Sequence, residues 1–293
     1  MRIAVTGASG FIGTELLEAL SKRNGVSVIG LTRDAAKCED TPFCEWRSTD
    51  YTATSLKEAI EGADVVIHLA GVRGTEADPE KFAVNDAMTG AILDVMQETG
   101  CKRIVFASTM SVYNDDSLMP WDEDIPLGGR SEYGDSKVRC EALIQNFAKE
   151  NGITYGIARI AQVLGEGEKR RGMMNVFIDT AADHGTLKVM GRSIAKKQYI
   201  YVKDLAEILA MLAESDRNII VNAGMQDAYS NLEVAQIVNK VFANPSPIDY
   251  DDSHPETGRP FHMDISRLKE ELGYVPLDME SALTEMKKSR DLQ

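Results

Sequence analysis

The stretch Thr6-Gly7-Ala8-Ser9-Gly10-Phe11-Ile12-Gly13 decides how the chain is read. It follows an apolar run, Ile3-Ala4-Val5, and leads into residues 11–23, where Ile12, Leu16, Leu17 and Leu20 recur at helical spacing. A strand, a glycine-rich turn and a helix in that order make a phosphate cradle. Gly7 permits the tight turn, Gly10 lets backbone approach a pyrophosphate, and Gly13 lets helix and strand pack closely. The helix N-terminus then offers unpaired N–H groups and the positive end of its dipole, with Phe11 and Ile12 in its first turn.

Working outward, apolar runs predict strands at 2–6, 26–32, 43–47, 64–69, 103–107 and 153–159. Helical spacing fills 11–23, 54–61, 79–99 and 131–151 between them. Nearly all-apolar strands such as Asp64-Val-Val-Ile-His-Leu69 suit a sheet covered on both faces. The expected fold is therefore α/β, a doubly wound parallel sheet of Rossmann type over residues 1–165. Beyond it the alternation fades. Short strands near 187–190, 199–202 and 218–222 mix with helices near 172–183, 203–214, 230–243 and 279–290. Residues 166–293 are expected to form a smaller α/β substrate-binding lobe that shares one core with the first.

Composition sets the boundaries. The 293 residues carry a net charge of −14, so the chain lacks the field that draws nucleic acid or an anionic membrane surface, and neither partner is expected. An anionic ligand must be held by local cations. No apolar run reaches the ~18 residues of a membrane span. The four cysteines have no CxxC spacing and the four histidines no ligand spacing, so no metal is expected. With an apolar strand at the N-terminus and no leader pattern, a cytoplasmic protein is expected.

The end of the second strand bears on which dinucleotide is held. NAD enzymes commonly place an acidic residue there for the ribose 2′-hydroxyl. Here Thr32 takes that place and Arg33 follows, a guanidinium suited to a 2′-phosphate, which favours NADP over NAD. Asp34, one residue on, offers the alternative carboxylate.

Three further segments fall at strand ends or helix starts: His68-Leu69-Ala70-Gly71, Phe106-Ala107-Ser108-Thr109, and Tyr133-Gly-Asp-Ser-Lys137. Tyr133 and Lys137 lie one helical turn apart on one face. A phenol ionises near ~10, too high for a base at neutral pH. A nearby ammonium, helped by a cationic nicotinamide, would favour the phenolate and let Tyr133 exchange a proton with a sugar hydroxyl.

With the glycine turn, this set resembles the extended short-chain dehydrogenase/reductase family, in its NAD(P)-dependent epimerase/dehydratase branch acting on nucleotide sugars. Ala83-Val84-Asn85, Gln198-Tyr-Ile-Tyr-Val-Lys-Asp204, Asp264-Ile-Ser266 and Leu272-Gly-Tyr-Val-Pro276 resemble further segments of that family, in order along nearly the whole chain. The resemblance implies that Thr109, Tyr133 and Lys137 are catalytic, with Thr109 where Ser is commoner. It assigns Leu69, Ala70, Gly71 and Asn85 to the cofactor, and Lys137 to the nicotinamide ribose. Asp50, with Tyr51 beside it, would face the adenine; the other role open to Asp50 is to cap the helix starting near Ser55. Ser111 and Tyr113 either line the sugar site or pack the loop.

In the second lobe the resemblance implies that Gln162, Asn175, Lys197 and Arg259 hold a nucleotide-diphosphate sugar. A 4,6-dehydratase carries Asp-Glu where this chain has Met110-Ser111, which speaks against dehydration. Two enzymes remain: a nucleotide-sugar 4-epimerase, placed ahead, and an NADPH-dependent reductase of a 4-keto nucleotide sugar, which Arg33 favours. A non-catalytic NADP-sensing protein is the reading outside enzymology, and the Tyr/Lys pair speaks against it. Residues 79–99 and 131–151 would pair in a homodimer, as the resemblance implies.

Overall fold

The computed structural model describes residues 1–74, 76–168, 172–255 and 258–291. Its first half runs β1 (Arg2–Thr6), α1 (Phe11–Ser21), β2 (Ser27–Thr32), β3 (Cys44–Ser48), α2 (Ala53–Ile60), β4 (Val65–His68), α3 (Pro79–Thr99), β5 (Arg103–Ala107), α4 (Glu132–Asn151) and β6 (Thr154–Ile160). The second half adds β7 (Gln162–Leu164), α5 (Met173–Ala182), β8 (Leu187–Met190), β9 (Lys197–Tyr201), α6 (Val202–Glu214), β10 (Ile219–Ala223), β11 (Ala228–Tyr229), α7 (Asn231–Val241), β12 (Ile248–Asp251), α8 (Ser266–Leu272) and α9 (Met279–Asp291).

Seven parallel strands stand in the order β10-β6-β5-β4-β1-β2-β3. Helices α1 and α6 cover one face over a core of Leu16, Leu20, Leu205 and Leu209. Helices α2, α3 and α4 cover the other through Leu56, Ile92, Met96 and Ile144. Both faces are covered, which is why the strands are apolar throughout. The two long helices begin and end where local chemistry dictates. Asp78 caps α3 and Ser131 caps α4 through their side-chain oxygens, and Gly100 and Gly152 close them at φ +76° and +64°.

The chain does not leave the first sheet at residue 165. Residues 203–214 and 218–222, read as part of the smaller lobe, appear as α6 and β10, and they belong to the main sheet and its covering layer. Hydrophobic pattern marks a strand but not its sheet. The smaller lobe itself holds a three-stranded sheet, β11-β9-β7, a two-stranded one, β12-β8, and a core of Phe177, Leu187, Tyr199, Val234 and Leu283 among others. Strands β7, β11 and β12 and helix α8 had no sequence signal, being two to seven residues long. Among the described residues no helix is long and apolar enough to cross a membrane.

Candidate active site

Strand order reverses between β1 and β4, and their carboxyl ends open a crevice there. Thr6 ends β1, and its hydroxyl accepts from the backbone N–H groups of Leu69 and Ala70, both at 3.1 Å. Its own proton is left to donate to Nδ1 of His68 at 2.8 Å. His68 is then the Nε2–H tautomer, with Nε2 at 3.4 Å from the Thr89 hydroxyl. Burial, with the Lys137 cation adding to it, pushes this imidazole down to about 3, so it stays neutral. The Leu69-Ala70-Gly71 strand end is thereby pinned against the glycine turn.

That turn fits a pyrophosphate. Gly7 sits at φ +70°, and a methyl group there would stand 3.1 Å from the backbone nitrogen of Ala70. A methyl at Gly13 would press on the carbonyls of Gly7 and Ala8. Helix α1 starts after Gly10 with no side-chain cap, whereas Thr52, Asp78, Ser131 and Ser230 cap α2, α3, α4 and α7. An anion can satisfy the first turn of α1 in place of a cap.

At the neighbouring strand end, the Thr32 hydroxyl lies 3.3 Å from that of Ser9. Arg33 is exposed, and its charge acts on the phenol of Tyr51, which reaches Thr6 and Gly7. Asp34 is paired with Lys37 at 2.9 Å. Tyr51 adopts φ +66° between Asp50 and α2. Asp50 accepts, through one oxygen, from the Ser55 hydroxyl at 2.6 Å, the Thr52 hydroxyl at 2.7 Å and the Thr52 N–H at 3.0 Å. These bonds hold its carboxyl at about 2. Of the two roles open to Asp50, organising the entry to α2 is the one on display.

Thr109 is 8% exposed, and its hydroxyl oxygen accepts from the Ser111 N–H at 3.2 Å. Its own proton remains free to donate, and the Thr109 hydroxyl acts on the phenol of Tyr133. Tyr133 is half-buried at the start of α4, its ring centroid 6.0 Å from that of Phe82. Burial pushes the phenol up, while Arg73 and then Thr109 pull it down. Lys137, 4% exposed, donates to the Ala107 carbonyl at 2.9 Å and lies 4.4 Å from the centroid of Phe106. Burial lowers this amine to about 8.

A buried ammonium needs acceptors, and Lys137 takes the carbonyl at the end of β5. Besides Lys137, which stands one helical turn from Tyr133, Arg73 is a further cation that favours the phenolate. Arg73 follows the Leu69-Ala70-Gly71 strand end at no fixed motif spacing, so sequence reasoning passed over it.

Asn85 ties these parts together. Its Oδ1 accepts from Val72 N–H at 2.7 Å, and its Nδ2 donates to Val72 carbonyl at 2.9 Å and to the Ser136 hydroxyl at 3.1 Å. Tyr113 is fully buried, donating to Asn222 at 2.7 Å and accepting from Arg159 at 2.9 Å, so it packs the core and does not line the sugar site. Ser111 is half-buried beside Thr109, its carbonyl accepting from Arg130 N–H at 2.9 Å.

The second-lobe candidates divide. Gln162, exposed on β7, pairs in register with Tyr199 on β9, the strand that Lys197 opens. Gly258 brings the Arg259 segment against Lys197, since a methyl there would lie 3.2 Å from Lys197 Nζ. Arg259 also acts on Arg130, a third cation that the sequence did not flag. Asn175 stands apart, lining a cavity of about 580 Å³ with Glu166, Gly167, Glu168, Asp179 and Arg290.

A sequence model of the NAD dependent epimerase/dehydratase family matches residues 3–224. The putative UDP-glucose 4-epimerase of Methanocaldococcus jannaschii is 30% identical over 94% of this chain and 93% of its own length. UDP-glucuronic acid decarboxylase 6 of Arabidopsis thaliana is 29% identical, covering 94% of this chain and 84% of that protein. The crystal structure of UDP-N-acetylglucosamine 4-epimerase from Bacillus cereus superposes with a TM-score of 0.89 at 30% identity, covering 98% of both chains.

Proposed function

Because the chain belongs to the NAD-dependent epimerase/dehydratase family, we propose that it is an NAD-dependent nucleotide-sugar epimerase that inverts C4 of a UDP-linked sugar. The observation that carries this reading is the gathering of Thr109, Tyr133 and Lys137 at the carboxyl end of the sheet, beside the strand-order crevice. The preference for NADP drawn from Arg33 finds no support in the family match, which names NAD.

The glycine turn and α1 would hold the pyrophosphate, and Gly71, Asn85 and Lys137 line the crevice on the nicotinamide side. Bound NAD would supply the hydride acceptor and donor for inversion at C4. Tyr133, as phenolate, takes the proton of the C4 hydroxyl and gives it back when the alcohol re-forms. Thr109 donates to the oxygen that changes charge, since its own lone pair is engaged by Ser111 N–H. Lys137 braces the strand end through Ala107. Gln162, Lys197 and Arg259 bind the diphosphate, a dianionic handle that an acidic protein must meet with local cations. Asn175 serves the nucleotide from the separate cavity that it lines. Asp50 and Tyr51 complete the adenine side.

The reading extends to a cytoplasmic homodimer through α3 and α4, on which Val84 and Leu143 are 47% and 39% exposed. Sedimentation showing only monomer at micromolar concentration removes the dimer. The experiment for the function is release of cofactor from fresh protein, identified by mass. Stoichiometric NAD fits an enzyme that keeps its cofactor through each cycle. An empty site that binds NADPH well and NADH poorly turns the assignment to the 4-keto-sugar reductase. Intact biological activity of Tyr133→Phe with normal cofactor binding turns it to a sensor.

A further inference from the structure

A charged pair lies buried beside the proposed reacting groups. Glu141 shares a face of α4 with Tyr133 and Lys137, two turns beyond the first and one beyond the second. Its carboxylate accepts from Arg159 on β6, from Nη2 at 2.8 Å and from Nε at 3.2 Å. It also accepts from the hydroxyl of Ser108, the residue before Thr109 at the end of β5. Arg159 in turn donates at 2.9 Å to Tyr113, whose hydroxyl donates to Asn222 on β10 at 2.7 Å. One ion pair thus joins α4 to the carboxyl ends of three adjacent strands, β10, β6 and β5.

We propose that Glu141 is a positioning residue, which sets the first turns of α4, with Tyr133 and Lys137, against the strand end that bears Thr109. The inference rests on the epimerase reading for its chemistry; the geometry stands without it. Taking two charges out of water costs about as much as their attraction gains, and apolar side chains of similar volume commonly fill such a place as stably. What apolar packing does not supply is register. A carboxylate held by a forked guanidinium accepts a hydroxyl along defined directions, so Ser108 and α4 keep one relative setting. Thr109 comes from the sheet and Tyr133 from a helix, so a tie between those elements must fix their separation. Ser108 and Glu141 are 3% and 0% exposed, so neither meets a ligand and both act through their neighbours. The other tie, from Lys137 to the Ala107 carbonyl at 2.9 Å, is made by a residue that the nicotinamide side also needs.

The test uses two variants. Ser108→Ala cuts the tie and leaves the ion pair; Glu141→Leu/Arg159→Met replaces both charges together. Each is read by steady-state kinetics of UDP-sugar epimerisation, NAD titration, thermal denaturation and crystallography. In the double variant kcat is expected to fall about ten- to a hundredfold with KM within about twofold and NAD affinity unchanged. Ser108→Ala should fall in the same direction by less, and it decides alone if the double variant does not fold. Both crystal structures should show the first turn of α4 shifted relative to the end of β5. Wild-type kcat in a folded variant overturns the proposal, as does a loss carried by KM or by Tm alone, or a fall in kcat with no shift. If the wild-type protein epimerises no UDP-sugar, the functional reading fails and the shift decides: its presence upholds the positioning role and its absence overturns it.

Discussion

Asn85, Thr109 and Lys137 are 3%, 8% and 4% exposed, while Gln162 and Arg259 stand in solvent and Lys197 is half covered. The first group is held in place before any ligand arrives: each of its members is bonded to backbone at a strand end or loop. The second is spread over β7, β9 and the segment before α8, with long side chains at its tips. The difference separates two tasks. Proton and hydride transfer tolerate little misplacement, so the groups proposed to act around C4 should be fixed in advance. A diphosphate can be gripped by flexible cations that settle as it binds. Changes in the first region should therefore act on kcat, and changes in the second on KM.

Tyr133→Phe is the largest blow. It removes the proton carrier and leaves the packing against Phe82, so kcat should fall about 10²–10⁴-fold with cofactor affinity unchanged. Steady-state kinetics beside a cofactor titration checks this; an unchanged kcat would remove Tyr133 from the chemistry. Next is Gly13→Ala, whose methyl meets the carbonyls of Gly7 and Ala8. Overpacking of this kind costs about 1–3 kcal/mol, so calorimetry should show a lower Tm and a dinucleotide titration weaker binding. Normal affinity would mean that the turn is not the phosphate cradle.

Lys197→Ala should raise KM about tenfold with kcat nearly constant, the loss of one charge-assisted phosphate contact. A fall in kcat with KM unchanged would erase the division between the two regions. An effect on stability and not on catalysis concerns Lys137, whose amine sits at about 8 in the fold, below its free value of 10.5. Between those pH values the unfolded chain binds more protons than the folded one, so stability gains with rising pH. Denaturation of apoprotein should show wild type gaining on Lys137→Met from pH 8 to 10.5. A constant difference across that window would place the amine in water.

The cofactor half was legible because its signals are local. Eight consecutive residues make the glycine turn, and Tyr133 and Lys137 are joined by a single helical turn. What escaped depends on contacts between distant residues. The loop after β4 is set by Asn85, thirteen positions from Val72, which in turn bonds Ser136, fifty-one positions further on. Arg130 meets Arg259 across the fold. The boundary drawn at residue 165 missed β10 for the same reason: strand pairing is tertiary, and Ile219–Ala223 reads equally well as a strand of either sheet. Arg33 alone could not decide the dinucleotide, because a cation at a strand end speaks for a 2′-phosphate only when it faces one; its charge here acts on the phenol of Tyr51.

The most direct test of the central claim is proton NMR of UDP-glucose and UDP-N-acetylglucosamine incubated with the enzyme and NAD, with no reductant added. The account predicts that the C4 epimer of at least one grows in until a constant ratio is reached, with no net change in cofactor redox state. No epimer from either, with cofactor bound and Tyr133 intact, would contradict it, as would conversion only when NADPH is consumed in equal measure.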